Sequence, residues 1–298
     1  MDRFKSAKKA STLGILGNIF LLIIKGIIGL ATKSQAMIAD TLNSTGDIFS
    51  SVMTYVGNKI ASKPKDEDHN LGHGKAEYIY SMLISIIMMF MAVLIIKDGT
   101  EALVTNKTYI FSKWLIIVCI ITIIIKFLLY LYTYSIGKKY KNLLVKANAK
   151  DHINDCLLTS CNLIACIFAQ NNIYLLDGVV GMIIGLWILV TGMKIFKESY
   201  DVLMDKAISI ETKKKVYEII KTHKEIKKTQ NFNSTPIGYM YQISLTIFVD
   251  GNLTTFESHK IADNLEKEIT KSIDEIYLTV IHVNPIKINE SSNREQTK

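Results

Sequence analysis

The chain has 298 residues, of which 49% are hydrophobic and 21% charged, with a formal net charge of +8. These totals do not separate a soluble domain from a membrane one, but the charges crowd into the amino-terminal segment, short connectors and the carboxyl-terminal third, leaving apolar blocks between them. That distribution excludes a disordered chain, a disulfide-rich secreted module and a single soluble domain, and the positive charge lacks the aromatic-rich basic stripe of a nucleic-acid binder.

Six blocks approach the roughly 20 residues needed to cross a hydrocarbon core about 30 Å thick. The first, Leu13–Ala31, follows Arg3, Lys5, Lys8 and Lys9 and so begins like a signal peptide, but it is too long for one and five more blocks follow. The second, Met37–Ala61, carries Asp40, Asn43 and Asp47 at offsets that place them on one helical face. A charged connector, KPKDEDHNLGHGKAE, leads to the third, Tyr78–Ile96, which holds no charge. Asp66, Asp68, His69 and His73 in that connector read as a solvated charged turn.

The fourth block is Phe111–Tyr134. It holds Lys126, and the first block holds Lys25; each is expected to snorkel or pair with a carboxylate rather than to bind metal. The fifth, Ala147–Gln170, bears a polar stripe of Asp151, Asn154, Asp155, Thr159 and Asn162. Too few residues remain after Cys156 to span a bilayer, so Asp155 falls inside the boundary and Asp151 near it. The sixth, Tyr174–Phe196, has Asp177 near its start, where a capping or dipole role suits it. Lysines and arginines collect on the amino-terminal segment and on the second and fourth connectors, which predicts cytoplasmic termini. Cys119, Cys156, Cys161 and Cys166 form no CxxC and read as small packing residues.

After the sixth block the pattern changes. TKKKVYEIIKTH and FESHKIADNLEKEITKSI read as amphipathic helices, YQISLTIFVD and IYLTVIHVN as strands, and KKTQNFNST as a further short strand. The predicted organisation is a six-helix transmembrane domain over 1–204, a cytoplasmic α+β domain over 205–288 and a polar tail over 289–298.

Ionisable residues at membrane depth are costly and point to function. Asn43 with Asp47, and Asp151 with Asp155, are i, i+4 pairs that supply four oxygen donors, a set suited to hard divalent ions such as manganese. Two questions stay open from the residues alone: whether the two helices touch, and whether Asp151 and Asp155 are instead a first-turn pair stabilised by the helix dipole. His152, one residue from Asp151, points about 100° away from it, toward a neighbouring helix or the cytoplasmic mouth.

Here the sequence resembles the cation diffusion facilitator family of proton-coupled metal exporters. The likeness covers nearly the whole chain: six blocks, the run Ser34–Asp40, the polar pairs in blocks two and five, the string GHGKAE and the α+β tail. It implies an α-helical membrane protein with six transmembrane helices and a cytoplasmic ferredoxin-like domain of αββαβ order. It also implies a homodimer in the cell membrane, plasma or inner, and a transport site of Asn43, Asp47, Asp151 and Asp155. Asn43 and Asp151, where zinc-transporting members typically carry His or Asp and His respectively, resemble the manganese-exporting branch. The resemblance further suggests a loop site of Asp66, His69 and His73, and a link between membrane part and tail through Lys75 and Asp205. In the tail only His259 and His282 match a metal site, with Thr246 and Asn284 standing where His and Asp are common. Asp40 matches an acidic position outside the ligand set.

The expected partners are the bilayer, a second copy of the chain, divalent metal and protons, with no resident cofactor and no nucleic acid. The expected function is manganese efflux in exchange for protons. The alternatives are the same antiporter tuned to zinc, iron or cobalt, or a membrane-anchored metal sensor or hydrolase using the HNLGH loop. A channel is disfavoured because the polar groups cluster instead of lining a pore.

Overall fold

The computed structural model describes residues 2–32, 35–105, 113–169 and 175–286; side chains at some helical positions, including Asp40, Asn43 and Asp177, lie outside the described set. The chain divides into two compact units, residues 1–200 and 201–298. The first is built from α1 (Asp2–Thr32), α2 (Gln35–Ala61), α3 (Ala76–Thr105), α4 (Lys113–Lys139), α5 (Leu143–Ala169) and α6 (Leu175–Leu203), whose last turn passes into the second unit. These helices outrun the apolar blocks of the sequence because hydropathy marks only a lipid-matched stretch, whereas the amide ladder continues into polar flanks.

Among the described residues, α1 over Arg3–Ile28, α3 over Ala76–Glu101 and α4 over Ile116–Lys139 are long and apolar enough to cross a membrane. The distribution of side chains in this unit is inverted relative to a soluble bundle. Leu16, Phe20, Ile27, Phe90, Leu128, Ile183 and Trp187 are exposed, while Asn18, Lys25, Asp47, Ser51, Thr122, Lys126, Asn148, His152 and Asn154 are buried. An apolar exterior around a polar interior suits a bilayer, where lipid tails solvate the outside and polar groups must find partners within.

α2 and α5, which carry the acids, pack on each other, and both pack on α3; α1 lies against α2 and α4, and α4 against α5. The α4–α5 connection takes three residues. Lys141 enters the left-handed region at φ 49°, Asn142 N–H donates to Gly137 O (3.1 Å), and the Asn142 side chain caps α5 by accepting from Val145 N–H (2.9 Å). α6 approaches α3 through small residues: a Cβ at Gly185 would lie 3.2 Å from Ala92 O, and one at Gly192 3.2 Å from Ser85 O, so glycine permits the close helix approach typical of membrane interiors.

The second unit orders its elements as α7 (Ile210–Thr222), β1 (Lys228–Ile237), β2 (Met240–Asp250), α8 (Thr255–Ser272) and β3 (Ile276–Ile286). β2 is central, antiparallel to β1 across the two-residue turn Gly238–Tyr239 and parallel to β3, with α8 as the crossover. Gly238 adopts φ 63°, as the first position of such a tight hairpin turn requires. Ile243, Leu245, Ile247 and Val249 alternate inward from β2 to meet Val216 and Ile220 of α7 and Ala262, Leu265 and Ile269 of α8. Each fully buried aliphatic side chain in such a core is worth about 1.5–3 kcal/mol.

Candidate metal centre

Two helices supply the acids. Asp47 lies in the middle of α2, and Asp151 and Asp155 stand one turn apart on α5, so each pair of neighbouring turns presents its side chains to the helix opposite. Carboxylate oxygens of Asp47, Asp151 and Asp155 all lie within 4.8 Å of one another. α5 begins at Leu143, eight residues before Asp151, so these acids are well past the first turn and the dipole reading is set aside. Asn43 is on α2 one turn before Asp47, and its side chain lies outside the described residues.

The carboxylates open onto a cleft of about 40 Å³ walled by Ser50, Met88, Met91, Asn154 and Ile188. Asn154 is 3% exposed, and neither its Oδ1 nor its Nδ2 has a hydrogen-bond partner among the described residues. A buried amide in that condition costs free energy unless something polar meets it, which makes it a candidate donor to whatever enters the cleft. The sequence placed Asn154 on the polar stripe but not among the ligands; its orphaned amide emerges only from packing.

Lys126 reaches the cluster from α4. Its Nζ donates to Asp47 Oδ2 (2.7 Å) and Asp155 Oδ2 (2.6 Å), and it is 1% exposed. Of the two expectations for this lysine, pairing with a carboxylate is the one realised, and it joins two carboxylates on different helices. Lys25, also buried, donates to Ser44 Oγ at 3.1 Å. Asn18 of α1 steadies α2 from behind, donating to Asp47 O (2.9 Å) and Ser51 Oγ (3.0 Å). His152 is fully buried on the α1 side of α5, with Nε2 3.4 Å from the position a Cβ would take at Gly14, away from the acid cluster. Cys119, Cys156 and Cys161 form no disulfide, and Cys166 lies outside the described residues.

The connector between α2 and α3 brings Asp66, His69 and His73 together. His69 N–H donates to Asp66 Oδ1 (2.7 Å), the His69 ring lies 3.1 Å from the same oxygen, and His73 Nε2 lies 3.5 Å from Asp66 Oδ2. Desolvation, the largest single effect, acts to raise the Asp66 pKa, but the hydrogen bonds from His69 and the charges of His73 and His69 together outweigh it and hold the carboxyl below its ordinary value. Gly72 closes the loop with φ 76°. Two imidazoles and a carboxylate are a borderline-ion donor set, unlike the all-oxygen cluster between α2 and α5.

His259 on α8 and His282 on β3 are exposed, and neither joins a group of three potential ligands among the described residues. Lys75 precedes α3 in the first unit. Asp205, at φ 56°, follows α6 in the second.

The model of the cation efflux transmembrane domain matches residues 11–204, and that of the cation efflux protein cytoplasmic domain matches residues 208–286. The chain is 26% identical over 291 residues to the manganese efflux system protein MneP of Bacillus subtilis, covering 95% of this chain and 98% of that protein. With the manganese efflux system protein MneS of the same organism it shares 29% over 289 residues, covering 96% and 98%. It also shares 24% with the magnetosome protein MamB of a Magnetospira strain, covering 91% of this chain and 92% of that one.

Proposed function

Because the chain belongs to the cation efflux, or cation diffusion facilitator, family, and is thus a membrane transporter and not an enzyme, we propose that it expels manganese(II) from the cytoplasm in exchange for protons. The observation that carries this reading is the meeting of Asp47, Asp151 and Asp155 in one cluster of carboxylates between α2 and α5, with no imidazole or thiolate joining it among the described residues. Oxygen-only donors favour hard, octahedral ions, whereas sulfur and imidazole are what draw zinc. The near full-length likeness to two manganese efflux proteins supports the same assignment.

In this mechanism the site faces the cytoplasm to load, with Asp47, Asp151 and Asp155 as charged ligands and the Asn43 amide as a fourth. It then turns outward, where protons arriving on the carboxylate oxygens compete with the metal and discharge it. The protonated carrier returns and gives its protons up inside. Six membrane crossings with cytoplasmic termini, residence in the plasma or inner membrane and pairing of two copies through the cytoplasmic unit complete the proposal, with Asp66, His69 and His73 as an accessory site. The tail offers only His259 and His282 toward a metal site, and the Lys75–Asp205 link is proposed from resemblance alone.

A second reading is the same carrier tuned to zinc, iron or cobalt, favoured by the thioethers of Met88 and Met91 in the cleft wall, which are softer than oxygen. The test is metal-competition uptake into sealed vesicles by wild type and Asn43→His. The expected result is manganese-preferring uptake in wild type, lost when the pH gradient is collapsed, and a shift of preference toward zinc in the variant. An unchanged preference in Asn43→His would place the site elsewhere, and uptake indifferent to the pH gradient would end the antiport mechanism.

A further inference from the structure

The acid cluster contains a cation of its own. Lys126, enclosed on α4, bridges Asp47 Oδ2 and Asp155 Oδ2 at 2.7 and 2.6 Å, and in doing so it links α2 to α5 through the same atoms a cargo ion would use. A divalent ion binds carboxylate oxygens at about 2.0–2.6 Å. An ammonium hydrogen-bonded to those oxygens occupies their lone pairs and repels a dication a few ångströms away. Lys126 and cargo therefore exclude each other from Asp47 and Asp155.

Resting on the manganese reading above, we propose that Lys126 is a tethered counter-cation of the transport site. The arriving metal displaces its ammonium from Asp47 and Asp155, and as the metal leaves the ammonium retakes Oδ2 of both, so that the exchanged protons ride on Asp151 and on the oxygens Lys126 does not hold. Three features support this over a purely structural ion pair. Lys126 is 1% exposed, so it is held in the cluster and not snorkelled to an interface. Its two partners are on different helices, so it spans the site instead of bracing one wall. With its charge counted, the cluster carries a formal −2, three carboxylates less one ammonium, which one dication balances. The device weakens binding and speeds release, because a metal that leaves does not abandon bare carboxylates at membrane depth. Lys126 is a positioning residue in this scheme, acting on the ligands and not on the metal.

The test uses the full-length chain in lipid nanodiscs and in proteoliposomes, with manganese(II) as the probe, comparing wild type, Lys126→Gln and Asp47→Asn. Removing the competitor in Lys126→Gln is expected to tighten equilibrium manganese binding about tenfold, the order of one charge-assisted hydrogen bond, while kcat for uptake and KM both fall. Unchanged or weaker binding in a folded Lys126→Gln protein would overturn the inference and leave Lys126 as a brace. Wild-type binding by Asp47→Asn would instead overturn the transport-site reading itself. Should Lys126→Gln fail to fold, a manganese-loaded structure of the wild type decides. Nζ beyond about 3.5 Å from both carboxylates supports displacement, and retained hydrogen bonds refute it.

Discussion

Arg3 shows at the level of one side chain how the chain keeps charge inside the membrane unit. Its guanidinium donates to Glu77 Oε2 (2.5 Å) and to Tyr140 O (3.1 Å), and Glu77 also accepts from Leu143 N–H (2.6 Å). The starts of α1, α3 and α5 are thereby tied by one buried pair. Removing one partner strands the other charge, so Arg3→Ala is expected to destabilise the protein by about 3–5 kcal/mol, while Arg3→Ala with Glu77→Gln recovers part of the loss; thermal unfolding in detergent measures both. Much of the acid cluster was legible at this scale. Offsets of four placed Asp151 and Asp155 on one helical face, and the length of the fifth block placed Asp155 at depth. The convergence of Asp47 with that pair was implied only by the family resemblance, because spacing describes one helix and is silent about its neighbour. For the same reason Lys126 stood in the sequence with two possible fates, and only the packing of α4 on α5 selects the bridge to Asp47 and Asp155.

At the scale of elements, the helix ends carry the instructive differences. α5 starts before the block Ala147–Gln170 it contains, since Asn142 caps it and the buried Leu143, Leu144 and Val145 fill its first turn ahead of Lys146. The strand β1 was legible only as a possibility, because TQNFNST alternates polar with polar and its pairing depends on β2 alongside, with an irregularity between Gln230 and Asn233. α8 has the clearest local signal. Thr254 Oγ1 accepts from Glu257 N–H, and the Glu257 carboxylate accepts from Thr254 N–H and Oγ1–H. Those bonds hold the Glu257 pKa below the ordinary glutamate value. A depressed carboxyl stabilises the fold above its unfolded pKa and ceases to do so as pH falls through the folded one. Amide protection of the first turn of α8 is accordingly expected to exceed that of Glu257→Gln at neutral pH and to fall toward it as pH drops below the ordinary glutamate value of about 4.3. Thr254→Ala should lower that protection about fivefold at neutral pH, equivalent to about 1 kcal/mol.

Taken whole, the membrane unit places its polar residues inside and its apolar ones outside, whereas the cytoplasmic unit buries Ile243, Ile247, Leu265 and Ile269 and exposes charge. The two halves answer to different solvents, and that contrast was readable from charge distribution alone. The paths of the individual helices were not, because an apolar block reports its length and not its neighbours. The exposed belt formed by Phe20, Ile27, Phe90, Leu128 and Ile183 predicts that the full chain stays with the membrane fraction through high-salt and alkaline washes and leaves it only with detergent. Release by salt alone would show that the chain merely adheres.

The three-residue bend between α4 and α5 constrains how this machine can move. With Lys141 turned left-handed and Asn142 bonded to both helices, the hairpin has no slack, so a tilt of α5 drags α4 along. Lys126 and Asp155 ride on the same arm, so the ammonium that the metal displaces from both acids stays beside one of them; Asp47, anchored to α1 by Asn18, belongs to the other. The handshake between arms is the one that a movement of the helices alone can open.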